Sequence, residues 1–252
     1  MIAASFSTTV LDAKLRMGEP LASDQVHIWY QLTESLNEPA LAAAHALLSS
    51  EERSRFDRYR LARDRRDYAA AHALLRTSLS YYSDVEPQAW TFDVGPYGKP
   101  ELTIRAGLAG LAFNLSHARG IVACAITHSA AVGIDVTRTD AAFDCSSIAS
   151  RCLSPDESVQ LDARPPRDRS ARFMELWALK EAYTKATGRG LSEAMSDFGF
   201  LIEGDTIRFL PPGNVNPRAW QFGLFTLEPN YRIGVAIECR DPLAWTIRAR
   251  SG

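Results

Sequence analysis

What most limits how this chain can fold is a faint internal duplication, in which segments of matching chemistry recur 105 positions apart. Val26 to Leu32 (VHIWYQL) lies opposite Ala131 to Thr137 (AVGIDVT), and both read as short strands. Ser49-Ser50-Glu51-Glu52 then lies opposite Ser154-Pro155-Asp156-Glu157. Each places a serine where it can cap a helix and a glutamate three positions later, so that the two side chains satisfy each other's orphan backbone donors; Pro155 suits the first helical turn. Two longer helical patterns follow, with Tyr68, His72, Leu75 and Arg76 opposite Phe173, Trp177, Lys180 and Glu181. Each half closes on a β-rich stretch, Leu111 to Thr127 and Trp220 to Glu238. A period this long excludes a solenoid. It predicts an α+β (α/β) fold of pseudo-two-fold duplicated lobes, residues 1–129 and 130–252, each a small sheet packed with a long helix. Packed as a pseudo-dimer, two such lobes leave a cleft, a common place for a ligand.

Bulk properties narrow the class. The 252 residues, 46% hydrophobic and 23% charged, can bury one large core or two smaller ones. A formal net charge of −2 argues against a general nucleic-acid binder, which carries a basic excess. No apolar run approaches the roughly 20 residues that cross a bilayer, and the first residues lack the pattern of a secretion signal, so a cytoplasmic, non-membrane protein is expected. Cys124, Cys145, Cys152 and Cys239 form no C-x-x-C pair, which indicates reduced thiols rather than a zinc site or disulfide framework. One dense basic run stands out, seven arginines between Arg53 and Arg66 interrupted by Asp57 and Asp64. By itself such a run reads as a solvated helix face.

Four local patterns can carry chemistry. Arg172 to Leu191 is a helix by propensity, with Gly188 and Gly190 as stop signals. Phe173, Trp177, Glu181 and Lys185 recur every four residues on one stripe, and Leu176, Leu179, Tyr183 and Ala186 form an adjacent apolar face. Taken alone, the Glu181–Lys185 spacing is an ordinary intrahelical pair worth about 0.2–0.5 kcal/mol. In Gly133-Ile134-Asp135-Val136-Thr137, strand alternation puts Gly133, Asp135 and Thr137 on one face. An aspartate is disfavoured in a strand, so Asp135 is either a cap or turn residue or a ligand to a hard cation such as Mg2+. Phe113-Asn114-Leu115-Ser116-His117 places Ser116 and His117 just before an apolar strand, where a loop could present them to phosphate. A serine-nucleophile reading lacks a G-x-S-x-G elbow. Gly95 to Pro100 is a turn by composition.

In order along the chain, these strings resemble the Sfp-type 4′-phosphopantetheinyl transferases. The matching elements are Gly98-Lys99-Pro100, Phe113 to His117, Gly133 to Val136, and Trp177 followed by Lys180-Glu181-Ala182, Lys185 and Gly188 to Leu191. The resemblance spans from about Ser49 to the final strands and implies the duplicated two-lobe fold. It implies coenzyme A as substrate, with its pyrophosphate on Mg2+ held by Asp135 and Glu181. Ser116 and His117 would contact phosphates, Lys99 and the backbone at Pro100 would line the nucleotide site, and Lys180 and Lys185 would flank the pyrophosphate. Arg55 and Arg66 align with positions that bind the nucleotide's phosphates, a task suited to the planar guanidinium fork. Lys185 would stabilise the leaving 3′,5′-ADP while Glu181, directly or through water, takes the proton of the attacking serine. The implied partner is an apo acyl, peptidyl or aryl carrier protein, typically acidic, acted on by a monomeric enzyme.

One departure stands out. The family usually carries a second carboxylate two residues after the aspartate, where this chain has Thr137; Asp140 is the nearest possible substitute. Two other classes therefore stay open: a non-catalytic coenzyme A or carrier-binding module, and a metal-dependent phosphohydrolase.

Overall fold

A computed structural model describes residues 9–12, 21–95, 99–103, 110–128, 131–140, 145–188, 194–227, 230–239 and 244–249. The chain divides into two compact units, one built from Phe6–Ala130 with Leu243–Gly252, the other largely from Ala131–Pro242. The first contains β1 (Thr9–Asp12), β2 (Gln25–Leu32), α1 (Glu38–Ala46), α2 (Ser50–Phe56), α3 (Ala62–Ser80), β3 (Phe92–Val94), β4 (Pro100–Leu102), β5 (Leu111–Ala118) and β6 (Ile121–His128). The second contains β7 (Val132–Arg138), α4 (Ser146–Cys152), α5 (Pro155–Asp162), α6 (Pro166–Thr187), β8 (Gly199–Glu203), β9 (Thr206–Leu210), β10 (Trp220–Leu227) and β11 (Tyr231–Glu238). The last strand, β12 (Ala244–Ala249), runs parallel to β2 and β1 and so joins the first unit's sheet.

The repeat is realised in three strands of each sheet, the first sheet adding β1 and β12. In the first unit β2 pairs antiparallel with β6, and β6 with β5. In the second, β7 pairs antiparallel with β11, and β11 with β10. Each hairpin therefore docks against the strand that opened its half, and each sheet carries one long helix, α3 or α6. The fold is α+β, as the duplication predicts. Among the described residues, no helix is long and apolar enough to cross a membrane.

Both predicted capping boxes form: Ser49 and Ser154 accept from the backbone of Glu52 and Glu157, whose side chains accept from the serine backbones in return. Each glutamate has a second task. Glu52 takes two hydrogen bonds from Arg76, at 3.0 and 2.9 Å, and a third contact with His72 Nδ1 at 2.9 Å. Burial works to raise its pKa, but His72, the Ser49 N–H and Arg76 outweigh this and hold it at about 2. Glu157 meets Lys180 at 2.7 Å, both side chains fully buried. The long helix of each unit thus offers a buried cation to the glutamate that caps a shorter one. The equivalent of Arg76 in this role is Lys180, one residue away from the Glu181 with which the repeat spacing aligns it.

Core packing explains the stripes on α6. Phe173, Leu176, Leu179, Tyr183 and Ala186 are all buried, and Tyr183 packs among Phe198, Phe209 and Trp220 at ring separations of 4.7 to 4.9 Å. The helix begins at Pro166, a turn and a half before its predicted start. It ends where predicted, at Gly188, whose φ of 67° is the left-handed C-terminal cap that glycine adopts without strain. Gly190 and Leu191 lie outside the described residues, as do 96–98 of the predicted turn. The remainder of that turn closes the β3–β4 ribbon, with Gly95 N–H donating to Lys99 C=O at 2.8 Å.

Where α6 crosses β7 and β11 the backbones nearly touch. A methyl group on Gly133 would sit 1.9 Å from the carbonyl oxygen of Ala182 and 2.5 Å from Ala186 N, and one on Gly234 would sit 2.5 Å from the Ala178 carbonyl oxygen. Ala178, Ala182 and Ala186 form the facing stripe, all buried. Because the obstruction is backbone, the helix must lift to admit even one carbon. Gly133→Ala is expected to lower stability by about 1–3 kcal/mol or more, read from urea denaturation midpoints; an unchanged midpoint contradicts this packing.

Candidate active site

The close approach of α6 to β7 sets three ionisable groups beside one another. Asp135 stands on the β7 face that turns toward the helix and is 7% exposed. Lys185 Nζ donates to Asp135 Oδ1 at 2.6 Å and to the Ile134 carbonyl at 3.1 Å. Glu181, one turn earlier on the same helix, is half-buried. Burial first, then the negative charge of Asp135, push its pKa above the usual carboxylate range, while Lys185 pulls the other way. That coupling brings the two carboxylates, far apart in sequence, into one electrostatic environment. Among the described residues no group of three His, Cys, Asp or Glu side chains gathers as a metal site.

The position that lacks the second carboxylate, and its nearest substitute, are engaged elsewhere. Thr137 is 5% exposed, and its hydroxyl donates to the Met174 carbonyl at 3.4 Å. Asp140 forms a fork with Arg138 at 2.9 and 2.5 Å and accepts from Asn230 Nδ2 at 3.2 Å. The Arg138 hydrogen bond leads the interactions that hold its pKa low.

Lys180 is not brought to this group. An ammonium has three N–H donors, and those of Lys180 reach Met195 C=O at 2.7 Å, Phe198 C=O at 2.5 Å and Glu157 Oε2 at 2.7 Å. None remains for a phosphate. Burial pushes the Lys180 pKa down and that of Glu157 up, each against the pull of its partner. Glu157 also accepts from Ser154 N at 2.8 Å and Phe200 N at 2.9 Å. The motif lysine therefore ties α6 to the start of α5 and the entry of β8. The capping serine and glutamate were legible in the sequence; this second use of Glu157 was not, because its partner lies in another helix.

The remaining candidates belong to the first unit. Ser116 and His117 lie inside β5, not in a loop before it, paired in register with Ala123 and Val122. Adjacent strand residues face opposite ways, and Ser116 is buried whereas His117 is exposed. Arg55 is exposed and ion-paired with Glu51 at 2.9 Å. Arg66 stands in the second turn of α3, its Nε buried without a hydrogen-bond partner. The Tyr68 hydroxyl is likewise buried and unpartnered, its pKa raised to about 12 by burial and then by the charge of Glu52. Burial lowers the pKa of Lys99, with Glu101 opposing, and Pro100 opens β4.

The site thus joins a buried aspartate, a half-buried glutamate and a lysine on a strand and a helix of a duplicated α+β chain. Comparison with known proteins makes the class specific. Residues 35–129 match the model of the 4′-phosphopantetheinyl transferase N-terminal region, and residues 131–236 match that of the 4′-phosphopantetheinyl transferase superfamily. The 4′-phosphopantetheinyl transferase HetI of Nostoc sp. strain PCC 7120 is 36% identical over 173 residues, covering 69% of this chain and 73% of its own. A 4′-phosphopantetheinyl transferase of Bacillus subtilis is 30% identical over 160 residues, covering 64% and 69%. Sfp of Bacillus subtilis strain 168 is 26% identical over 191 residues, covering 75% and 82%. This chain belongs to the 4′-phosphopantetheinyl transferase family.

Two outcomes follow from these environments. Removing the Lys180 charge leaves Glu157 buried without its cation, so Lys180→Met is expected to cost roughly 3–5 kcal/mol in chemical denaturation, with much of it recovered on adding Glu157→Leu. Glu181 behaves oppositely. Its folded pKa lies above the unfolded value, so the stability it contributes is present below the ordinary carboxylate pKa of 4.5 and is lost as pH rises through the raised value. In metal-free buffer Glu181→Gln is expected to be more stable than the wild type at neutral pH, the gap closing below about pH 4.5; equal stability at neutral pH contradicts this.

Proposed function

We propose that the chain transfers the 4′-phosphopantetheine arm of coenzyme A to a serine of an apo carrier protein, releasing 3′,5′-ADP. The observation that carries the proposal is the meeting of Asp135, Glu181 and Lys185 on adjoining elements of a family member. In the reaction the serine hydroxyl oxygen attacks the β-phosphorus of coenzyme A, and the bond from that phosphorus to the bridging oxygen breaks. The electron pair leaves with 3′,5′-ADP. Glu181, directly or through water, takes the serine proton. Lys185, which already bonds Asp135 and the Ile134 carbonyl, sets its positive charge against the leaving phosphate.

Two mutually repelling carboxylates, with no third among the described residues, fit a hard cation that takes its other ligands from substrate phosphates and water. Asp135 and Glu181 would hold Mg2+, which when bound supplies positive charge to the pyrophosphate. Toward the nucleotide, the reading assigns Arg55, Arg66, Lys99, Pro100, Ser116 and His117. Supporting it is the buried Arg66 Nε without a partner, since buried polar groups are otherwise hydrogen-bonded. The first unit then provides nucleotide and phosphate contacts, and the second the metal and catalytic residues. Lys180, with three donors already used, is left out of the contact set. A cytoplasmic, monomeric enzyme completes the reading, in keeping with four free cysteines.

The test is incubation with coenzyme A, Mg2+ and a panel of apo acyl, peptidyl and aryl carrier proteins, followed by mass spectrometry. A phosphopantetheine mass gain on a carrier, with 3′,5′-ADP released, is expected. Coenzyme A breakdown without that gain marks a phosphohydrolase, and binding without either product marks a non-catalytic module. Glu181→Gln is expected to lower transfer by about 10²- to 10⁴-fold while remaining folded; near-normal turnover removes Glu181 as the base.

A further inference from the structure

A buried carboxylate in the first unit has no part in the chemistry above. Asp67, in the second turn of α3, is 7% exposed and sits beside Arg66. Its Oδ1 accepts from the Thr33 hydroxyl, and its Oδ2 from Gly120 N–H at 3.4 Å. Thr33 N–H in turn donates to the Gly120 carbonyl at 2.9 Å. Three elements therefore meet in one closed ring of hydrogen bonds: the end of β2, the tip of the β5–β6 hairpin and the start of α3. Gly120 has φ of 86°, a backbone conformation that presents both its N–H and C=O to this ring and that other residues reach only with strain.

The ring ties together the two elements that carry residues assigned to the nucleotide. Ser116 and His117 precede the hairpin tip on β5, and Arg66 directly precedes Asp67 on α3. A carboxylate is itself repelled by phosphate, so Asp67 is unsuited to touch it. What it does is hold the tip of the hairpin at a fixed height against the helix. We infer that Asp67 is a positioning residue for coenzyme A, locking the Ser116–His117 strand to the Arg66 turn of α3. This rests on the assignment of Ser116, His117 and Arg66 to the nucleotide phosphates. The carboxylate offers one acceptor oxygen to each of the two donors.

Steady-state kinetics of carrier modification, normalised to folded protein by circular dichroism, separate positioning from simple support of the fold. Asp67→Ala is expected to raise KM for coenzyme A by about tenfold, the effect of one misplaced set of phosphate contacts, while kcat and the KM for carrier stay within about twofold. Asp67→Asn keeps an acceptor for Gly120 and can donate to the Thr33 hydroxyl, so it should restore KM to within about threefold of the wild type. Thr33→Val, which removes the other donor to Asp67, should shift KM in the same direction and carries the test if Asp67→Ala does not fold. Titration with 3′,5′-ADP provides a second readout and should weaken in parallel. If Ser116→Ala and His117→Ala raise KM but Asp67→Ala and Thr33→Val leave it unchanged, the positioning role is overturned and the phosphate assignment stands. If none of these variants moves KM, or the wild type neither binds nor turns over coenzyme A, both are overturned.

Discussion

The contact between α6 and the β7–β11 pair governs the second unit. Gly133 and Gly234 carry no side chain where Ala178, Ala182 and Ala186 pass over them, so helix and sheet approach at backbone distance. A helix so close has little freedom to rotate or slide. The residues just before two of those alanines, Glu181 and Lys185, are held at the edge of the contact, and there they meet Asp135 from the strand. The carboxylate pair is thus a consequence of packing: two charges that repel each other are kept together by apolar burial and backbone proximity elsewhere on the same elements. A site that holds like charges at some cost in stability is poised for a cationic or proton-transferring role.

A second principle runs through both units. The capping-box glutamate of a short helix also receives a buried cation from the long helix, Arg76 to Glu52 and Lys180 to Glu157. Local helix capping and tertiary docking share one carboxylate in each case. Such buried pairs add little net stability over apolar packing, yet losing one partner is costly. They favour a single arrangement of the two helices, since any other leaves a charge unpaired. The cation differs between units: a guanidinium that also bonds the Pro87 and Trp90 carbonyls, and an ammonium completed by Met195 and Phe198.

The same contacts show how a motif misleads. Adjacent residues Lys180 and Glu181 read as one functional string, but on a helix they point about 100° apart. One enters the core; the other, half-buried, feels the charge of Asp135. Ser116 and His117 similarly read as a presented loop because their string precedes an apolar run, yet the strand begins earlier and separates them onto opposite faces. Asp140 lies near the departure at Thr137, but Arg138 and Asn230 hold it. In each case orientation depended on partners that the spacing along the chain does not reveal.

Periodicity and capping chemistry were sufficient to determine both capping boxes and the helix stop at Gly188, because each is encoded in local spacing, whereas the pairing of Asp135 with Glu181 came from the resemblance of the motif strings to a family. Only the tertiary structure decided that Lys180 serves the core, that Thr137 and Asp140 are occupied, that β12 returns to the first sheet, and that Asp67 joins helix, strand and hairpin. The physical reason is that a side chain's task is set by which donors and acceptors reach it, and those come from segments whose separation along the chain bears no relation to their distance in space.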